Sequence, residues 1–319
     1  MGINTTFSSP TFSARRKSLI VTGIGLTTLA GVAAGVVPAV AHSGKTDRGT
    51  VLAASLRGAN EVPVAGGPAV GDKDGAAVEF LKVKGDRISV AVKWAGVDRP
   101  TALHIHQGAR GVNGGIKVEF TDLLKNSRRN SVTGTVKVKD KALLAKLKSD
   151  PGSFYANLHT KQFPGGAVRG QFHKVTVASF DFRDALGNFQ ASVVKGRQIY
   201  ECKPAQGGGH AFAQRDVAAV LGGRIAHSFV KPNSGTPQWI APDRSAVTGK
   251  LLSKTPNGET NIPELDLKAK QSGKHRGLLA DTTEILRLNT VGGVAPAGSC
   301  RPGAIVGVPY QADYLFLRG

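Results

Sequence analysis

The chain has 319 residues, a formal net charge of +20 and only 6% aromatic residues. Its length is more typical of two domains than of one. The charge suits an anionic partner, but no basic run carries interleaved aromatic residues, which argues against nucleic acid as the partner. Nucleophile elbows, zinc-protease helices, phosphate loops and dinucleotide fingerprints are also missing from the sequence, which argues against the enzyme classes that depend on them.

The first 41 residues predict an export signal. Residues 15–17 read Arg-Arg-Lys, residues 19–37 are all apolar, Gly or Thr, and residues 39–41 read Ala-Val-Ala. A basic segment, an apolar segment and small residues in this order are typical of a secretory signal peptide. We expect cleavage after Ala41 and a secreted, extracytoplasmic protein, with an uncleaved membrane anchor as the alternative. No later stretch is apolar enough to span a membrane, and both the general and the twin-arginine export routes stay open.

Residues 50–173 show the pattern of short strands joined by tight turns. Ile88, Val90, Val92 and Trp94 recur at every second position, which is typical of a strand with one buried face. Other strands are predicted at residues 51–56, 77–83, 102–106, 117–120, 132–138, 154–159 and 167–172. Seven or eight strands with almost no helix indicate an all-β fold, an antiparallel sandwich or barrel.

One short helix is predicted at residues 140–148. Asp140 can cap its first turn, and Leu143, Leu144 and Leu147 share one face. Residues 151–152, Pro-Gly, end it.

Three motifs stand out in this region. They read LRGANEVP at 56–63, ALHIHQG with GVNGG at 102–115, and FYANLHT with FPGGAVRGQ at 154–171. These motifs resemble those of the CHRD family, which occurs in animal chordin and in many exported bacterial proteins. They follow the family's order and cover nearly the whole domain. The resemblance implies a Greek-key sandwich or barrel, and it fixes no activity by itself.

Three histidines in these motifs predict a metal site. His104 and His106 are two positions apart on a predicted strand, so their side chains leave the same face. His159 ends another predicted strand. If the two strands are neighbours, three imidazoles converge, a ligand set that suits copper, with zinc as the alternative. Ligating histidines must be unprotonated, so binding should weaken as pH falls.

The order of His104, His106, His159 and Arg169 is similar to that in the copper/zinc superoxide dismutases, which are also Greek-key barrels. That resemblance implies a copper-only, dismutase-like oxidoreductase in which Arg169 guides the anionic substrate. No histidine lies between His106 and His159, so the bridging ligand and the zinc loop of that family have no counterpart here.

The same residues also fit a structural role, because histidines and asparagines beside turn glycines can hydrogen-bond loops together. Glu61 and Asn157 can hydrogen-bond a ligating histidine and fix its tautomer, or residues 60–63 can form a structural turn. Arg169 can pair with Glu61 instead of guiding an anion. The alternative function is therefore a non-catalytic extracellular module that binds an anionic cell-envelope polymer or a partner protein through its lysine-rich strands.

Residues 174–189 are predicted to link this domain to a second β-rich domain at 190–319, with one strand at 175–182. Landmarks from QIYEC at 198–202 to VPYQADY at 308–314 resemble an uncharacterised bacterial secreted family of unknown function. Cys202 and Cys300, an even pair in an exported chain, predict one structural disulfide. Three further residues without ligand-like spacing are predicted to lie on the surface or in loops: His210, His227 and His275.

Overall fold

The computed structural model describes residues 48–177 and 179–319. The predicted signal peptide, residues 1–41, lies outside the described residues. None of the helices in the described part of the chain is long and apolar enough to cross a membrane. The described chain is all-β, as predicted, and forms one open sheet and one closed barrel.

The first sheet contains nine antiparallel strands with a Greek-key crossing. These strands are β1 (Thr50–Arg57), β2 (Ala76–Lys84), β3 (Arg87–Ala95), β4 (Pro100–Gln107), β5 (Ile116–Glu119), β6 (Ser131–Lys137), β7 (Phe154–Thr160), β8 (Val168–Gln171) and β9 (His173–Lys174). They lie in the order β5-β4-β7-β8-β1-β2-β3-β6, with β9 beside β1. The crossing from β3 to β4 places β4 beside β7, a strand that is distant in sequence.

The inner side of this sheet is filled by apolar side chains such as Leu52, Val90 and Leu158, all fully buried. The helix α1 (Lys141–Ser149) contributes Leu144 and Leu147 to the same core. The Asp140 side chain accepts a hydrogen bond from the Leu143 N–H at 2.9 Å, so the predicted helix and its cap are confirmed.

The second half of the chain forms an eight-stranded closed barrel. Its strands are β10 (Phe189–Pro204), β11 (His210–Leu221), β12 (Ile225–Phe229), β13 (Pro237–Ile240), β14 (Ala246–Thr255), β15 (Glu264–Gln271), β16 (Thr282–Gly292) and β17 (Ile305–Arg318). Each strand pairs with the next, and β17 pairs with β10 to close the ring. This is an up-and-down barrel, which leaves no free sheet edge. Cys202 and Cys300 form the predicted disulfide, with their Cα atoms 5.8 Å apart.

The sheet and the barrel are packed together through a shared apolar layer. Phe80 and Val78 of β2 lie in one buried cluster with Leu315 of β17 and Leu286 of β16. Beside this layer, Arg57 of β1 forms an ion pair with Asp313 of β17, with Nη2 and Oδ1 at 2.7 Å. The two sheets therefore belong to one compact unit.

The strand predicted at residues 175–182 is wrong: the described residues of this segment are irregular, and a short 3-10 helix follows at Phe182–Gly187. The apolar residues Val175, Phe180 and Phe182 pack against the layer between the sheet and the barrel. Their apolar spacing reflects burial at this interface rather than strand pairing.

Candidate metal centre

The three predicted ligands come from neighbouring strands. In the β4–β7 ladder, His104 lies opposite Asn157, and Ala102 lies opposite His159. Leu103 and Ile105 point into the apolar core, so His104 and His106 project from the opposite face. The antiparallel pairing of β4 and β7 thus brings the HxH pair and the later histidine to one place on the outer face of the sheet.

The ring nitrogens of these histidines are close enough to share an ion. One nitrogen from each ring lies within 4.8 Å of the other two. His104 Nδ1 and His159 Nε2 are 3.2 Å apart. Two nitrogens bound to one metal at about 2.0–2.1 Å in a tetrahedral site are roughly 3.3 Å apart. The first pair therefore already has the spacing of two ligands, and the structure confirms the predicted cluster as a group that could hold a metal ion.

The other nitrogen of each ring has a protein partner. His106 Nδ1 lies 2.9 Å from the Gly114 carbonyl oxygen, and His159 Nδ1 lies 3.0 Å from the Pro164 carbonyl oxygen. A carbonyl only accepts, so both Nδ1 atoms carry the hydrogen and both Nε2 atoms carry a lone pair. Metal-ligating histidines in proteins show this same outer hydrogen bond, which fixes the tautomer and the ring orientation.

A carboxylate orients the remaining ring. His104 Nε2 lies 2.9 Å from Glu119 Oε2, and the two residues are opposite each other in the β4–β5 ladder. Burial of Glu119 is outweighed by hydrogen bonds from Thr121 and by attraction to His104, and the pKa of Glu119 is lowered. An ionised Glu119 accepts from His104 Nε2, which leaves His104 Nδ1 to face the other rings. Glu119 could not be identified from the sequence, because its contact with His104 depends on the register of a four-residue strand.

The centre of the group is rich in lone pairs and poor in donors. His106 Nε2 is buried and has no hydrogen-bond partner. Burial lowers the pKa of His106 and of His159, which favours their neutral forms. His104 and His106 are buried and His159 is half-buried. Three acceptor nitrogens that face one another are unfavourable unless a proton or a cation lies between them.

Arg169 holds a loop that passes over the site. Its side chain is 1% exposed, and its guanidinium donates to Asn113 Oδ1 at 3.0 Å and to the carbonyl oxygens of Ala109 and Val112 at 3.0 and 2.8 Å. These three acceptors belong to the loop that supplies Gly114. The role of Arg169 as an anion guide stays a prediction, and the observed contacts are those of a residue that positions the loop.

Tyr155 connects this arginine to His106. The Arg169 guanidinium lies 3.5 Å from the centre of the Tyr155 ring, and the same ring stacks on His106, with ring centres 4.9 Å apart and an interplanar angle of 5°. The His106 ring is therefore fixed by a stacked ring and by a loop carbonyl, both of which Arg169 supports.

Glu61 and Asn157 contact each other beside the site, with Asn157 Nδ2 and Glu61 Oε2 at 3.4 Å. Burial raises the pKa of Glu61 to about 8. Its carboxyl lies against Gly166, where an added Cβ would be 2.6 Å from Oε1. No hydrogen bond joins either residue to a histidine within the described chain, so their predicted role as partners of the ligands stays a prediction.

The histidines of the second half do not join this group. His275 is exposed, as predicted. The surface or loop prediction is wrong for His227, which is 4% exposed and stacks on Trp239 inside the barrel, with ring centres 4.5 Å apart.

Comparison with known families agrees with both resemblances seen in the sequence. Residues 52–172 match the family model of the CHRD domain, and residues 213–318 match the model described as "Protein of unknown function (DUF3455)". No curated protein and no solved structure matches the chain. The similarity to superoxide dismutases stays a prediction.

Proposed function

We propose that this chain, a CHRD domain followed by a DUF3455 domain, is an exported protein that holds one copper ion through His104, His106 and His159. One observation carries the proposal: each ring has its outer nitrogen engaged by a carbonyl or carboxylate, and its inner nitrogen faces the other two rings. A proton between His104 Nδ1 and His159 Nε2 would satisfy that pair alone and would leave the buried His106 Nε2 without a partner, whereas one ion would engage all three nitrogens.

The donor set favours copper among the divalent ions. Imidazole nitrogens suit copper, zinc and nickel, and Cu²⁺ stands highest in the affinity order of first-row divalent metals. Zinc is the alternative, because three histidines and an open position also describe catalytic zinc sites. When bound, copper would supply one-electron redox chemistry, and the protein's own residues bind the ion and keep the rings in one tautomer.

The chemistry beyond binding depends on access. His159 is half-buried while the other two ligands are buried, so the solvent side of the group lies at His159. Arg169 is committed to three loop acceptors, which supports a positioning role more than contact with a small anion. We therefore propose metal binding as the function. Dismutase activity is a separate property that needs its own assay.

The test is metal titration of the purified mature protein. We expect one equivalent of Cu²⁺ by calorimetry and elemental analysis, and none in the variant His104→Ala/His106→Ala. The variant His210→Ala/His275→Ala is the matched control and should bind like the unmodified protein. Electron paramagnetic resonance should show nitrogen ligands that disappear only in the first variant.

A further variant separates the roles of ligand and support. Glu119→Gln should keep the stoichiometry and weaken Cu²⁺ binding by about 10- to 100-fold, because it removes the charge that orients His104. Metal-free protein after a challenge with Cu²⁺ and Zn²⁺ would contradict the proposal. So would copper that persists in His104→Ala/His106→Ala.

A further inference from the structure

The closed barrel, β10–β17, contains a cavity of ≈ 880 Å³ that is open to solvent on one side. All eight strands from β10 to β17 contribute to its wall. Leu221, Ile285 and Phe316 fill another part of the barrel interior, so the space lies within a packed ring of strands. An eight-stranded barrel has an interior that can hold one small ligand, and this volume lies within the usual range for ligand sites.

Much of the cavity wall is aromatic or aliphatic. The Trp239 indole lies edge-on to the Tyr314 ring, with ring centres 5.6 Å apart, and Leu267 is a further wall residue. All three are buried. A wall of this kind favours a ligand with a substantial apolar body.

One residue of this wall is a buried arginine that forms no ion pair with a carboxylate in the described chain. Arg287 is 8% exposed, and its Nη2 donates to the Pro263 carbonyl oxygen at 2.8 Å. Its Nε is buried without a partner, and within the described residues Arg287 forms no ion pair. A buried cation is costly unless an anion pairs with it, so this position lacks its counter-charge.

Two other buried hydrogen-bond donors on the wall also lack an acceptor. Gln198 Nε2 and Trp239 Nε1 are buried without an acceptor. Gln198 Oε1 already accepts from Gln214 Nε2 at 2.8 Å, which leaves the Gln198 amide nitrogen free to donate. With Arg287 Nε, all the buried unmatched polar atoms on the wall are donors, so the complementary ligand carries acceptor oxygens.

The charges around the cavity have one sign. Lys250, Lys268 and Lys270 are exposed wall residues, and no Asp or Glu lies among the residues that line the cavity. Burial lowers the pKa of His227, another wall residue, to about 3, so this ring adds no charge of its own. The wall therefore presents a cationic rim and one buried cation, which favours an anion.

We propose that the barrel binds an amphipathic organic anion, a carboxylate with an apolar tail. The carboxylate accepts from Arg287, with Gln198 Nε2 and Trp239 Nε1 as the other available donors. The tail lies against the aromatic and aliphatic wall. This site is separate from the histidine group and does not depend on metal binding.

The test compares two probes of equal chain length, dodecanoate and dodecanol, titrated into the full chain by calorimetry. We expect dodecanoate to bind at least about tenfold more tightly, because only the acid pairs with Arg287. Trp239 reports on the same event by fluorescence in the Trp94→Phe variant, which keeps it as the single remaining tryptophan of the two in the chain.

Arg287→Met should weaken dodecanoate binding by about tenfold or more and leave dodecanol binding unchanged. Arg276→Met, at an exposed arginine outside the wall, is the matched control and should keep the preference for the acid. If Arg287→Met does not fold, the two probes on the unmodified protein decide alone. Equal affinities, no binding of dodecanoate, or a preference that survives Arg287→Met would overturn the proposal.

Discussion

The sheet of β1–β9 and the barrel of β10–β17 carry their candidate sites on opposite sides of similar antiparallel strands. In the sheet, apolar residues fill the inner side, and the three histidines lie on the outer face beneath loops. In the barrel, Arg287, Gln198 and His227 point inward around a cavity. The sheet ends at β5 and β6, whereas the barrel is closed. An open sheet must pack its inner side to be stable, while a closed ring can leave room inside.

The largest effect that separates the two regions should come from the disulfide. Cys202→Ser/Cys300→Ser opens a link of 98 positions, and the chain-entropy model gives a loss of about 5 kcal/mol in the free energy of unfolding. Because both cysteines belong to the barrel half, hydrogen exchange measured by mass spectrometry should accelerate in β10–β17 more than in β1–β8. Equal acceleration in both would show that sheet and barrel unfold as one unit.

One pH-dependent effect should originate in the sheet. Glu79 of β2 is fully buried, and neither carboxyl oxygen has a partner. Burial raises the pKa of Glu79 from 4.5 to about 8. The stability that its neutral form contributes is complete below pH 4.5 and is lost as pH rises through 8.

Glu79→Gln removes this ionisation, so the variant should match the unmodified protein near pH 4 and be more stable by about 4 kcal/mol at pH 8. Urea unfolding at the two pH values measures the difference. Glu259→Gln, at an exposed carboxyl, is the control. A gain that is the same at both pH values would contradict this account of Glu79.

A smaller effect compares packing in the two interiors. Leu52 is enclosed in the core of the sheet, whereas Leu267 borders the cavity of the barrel. Leu52→Ala should cost about 3 kcal/mol and Leu267→Ala about 2 kcal/mol, because the second side chain has fewer neighbours to lose. Urea midpoints measure both. Equal costs would indicate that the barrel interior is as tightly filled as the sheet.

Most of the local structure of the first domain could be predicted from the sequence. The alternation of Ile88, Val90, Val92 and Trp94 is a direct consequence of one buried strand face. The HxH spacing fixed the shared direction of His104 and His106 in the same way. The sequence could not show that β4 pairs with β7, because contacts between distant strands leave no local pattern. Convergence of the three histidines was therefore predicted only for the case in which these two strands are neighbours.

The features that the sequence did not indicate all depend on tertiary packing. Glu119 meets His104 through the register of β5, and His227 is buried inside the closed barrel, where its ring stacks on Trp239 of the next strand. The cavity follows from the pairing of β17 with β10, which no short segment encodes. In the segment 175–182 the sequence pattern was misleading. Its apolar residues suggested a strand, but they are buried at the interface between the sheet and the barrel.

In the apolar layer between the sheet and the barrel, each half shields apolar side chains of the other half from water. Phe80 and Leu315 are fully buried there. A fragment that contains one domain alone would therefore expose an apolar patch to water and be prone to aggregation. A substitution that changes the shape of either contact face has to be tolerated by its neighbour as well.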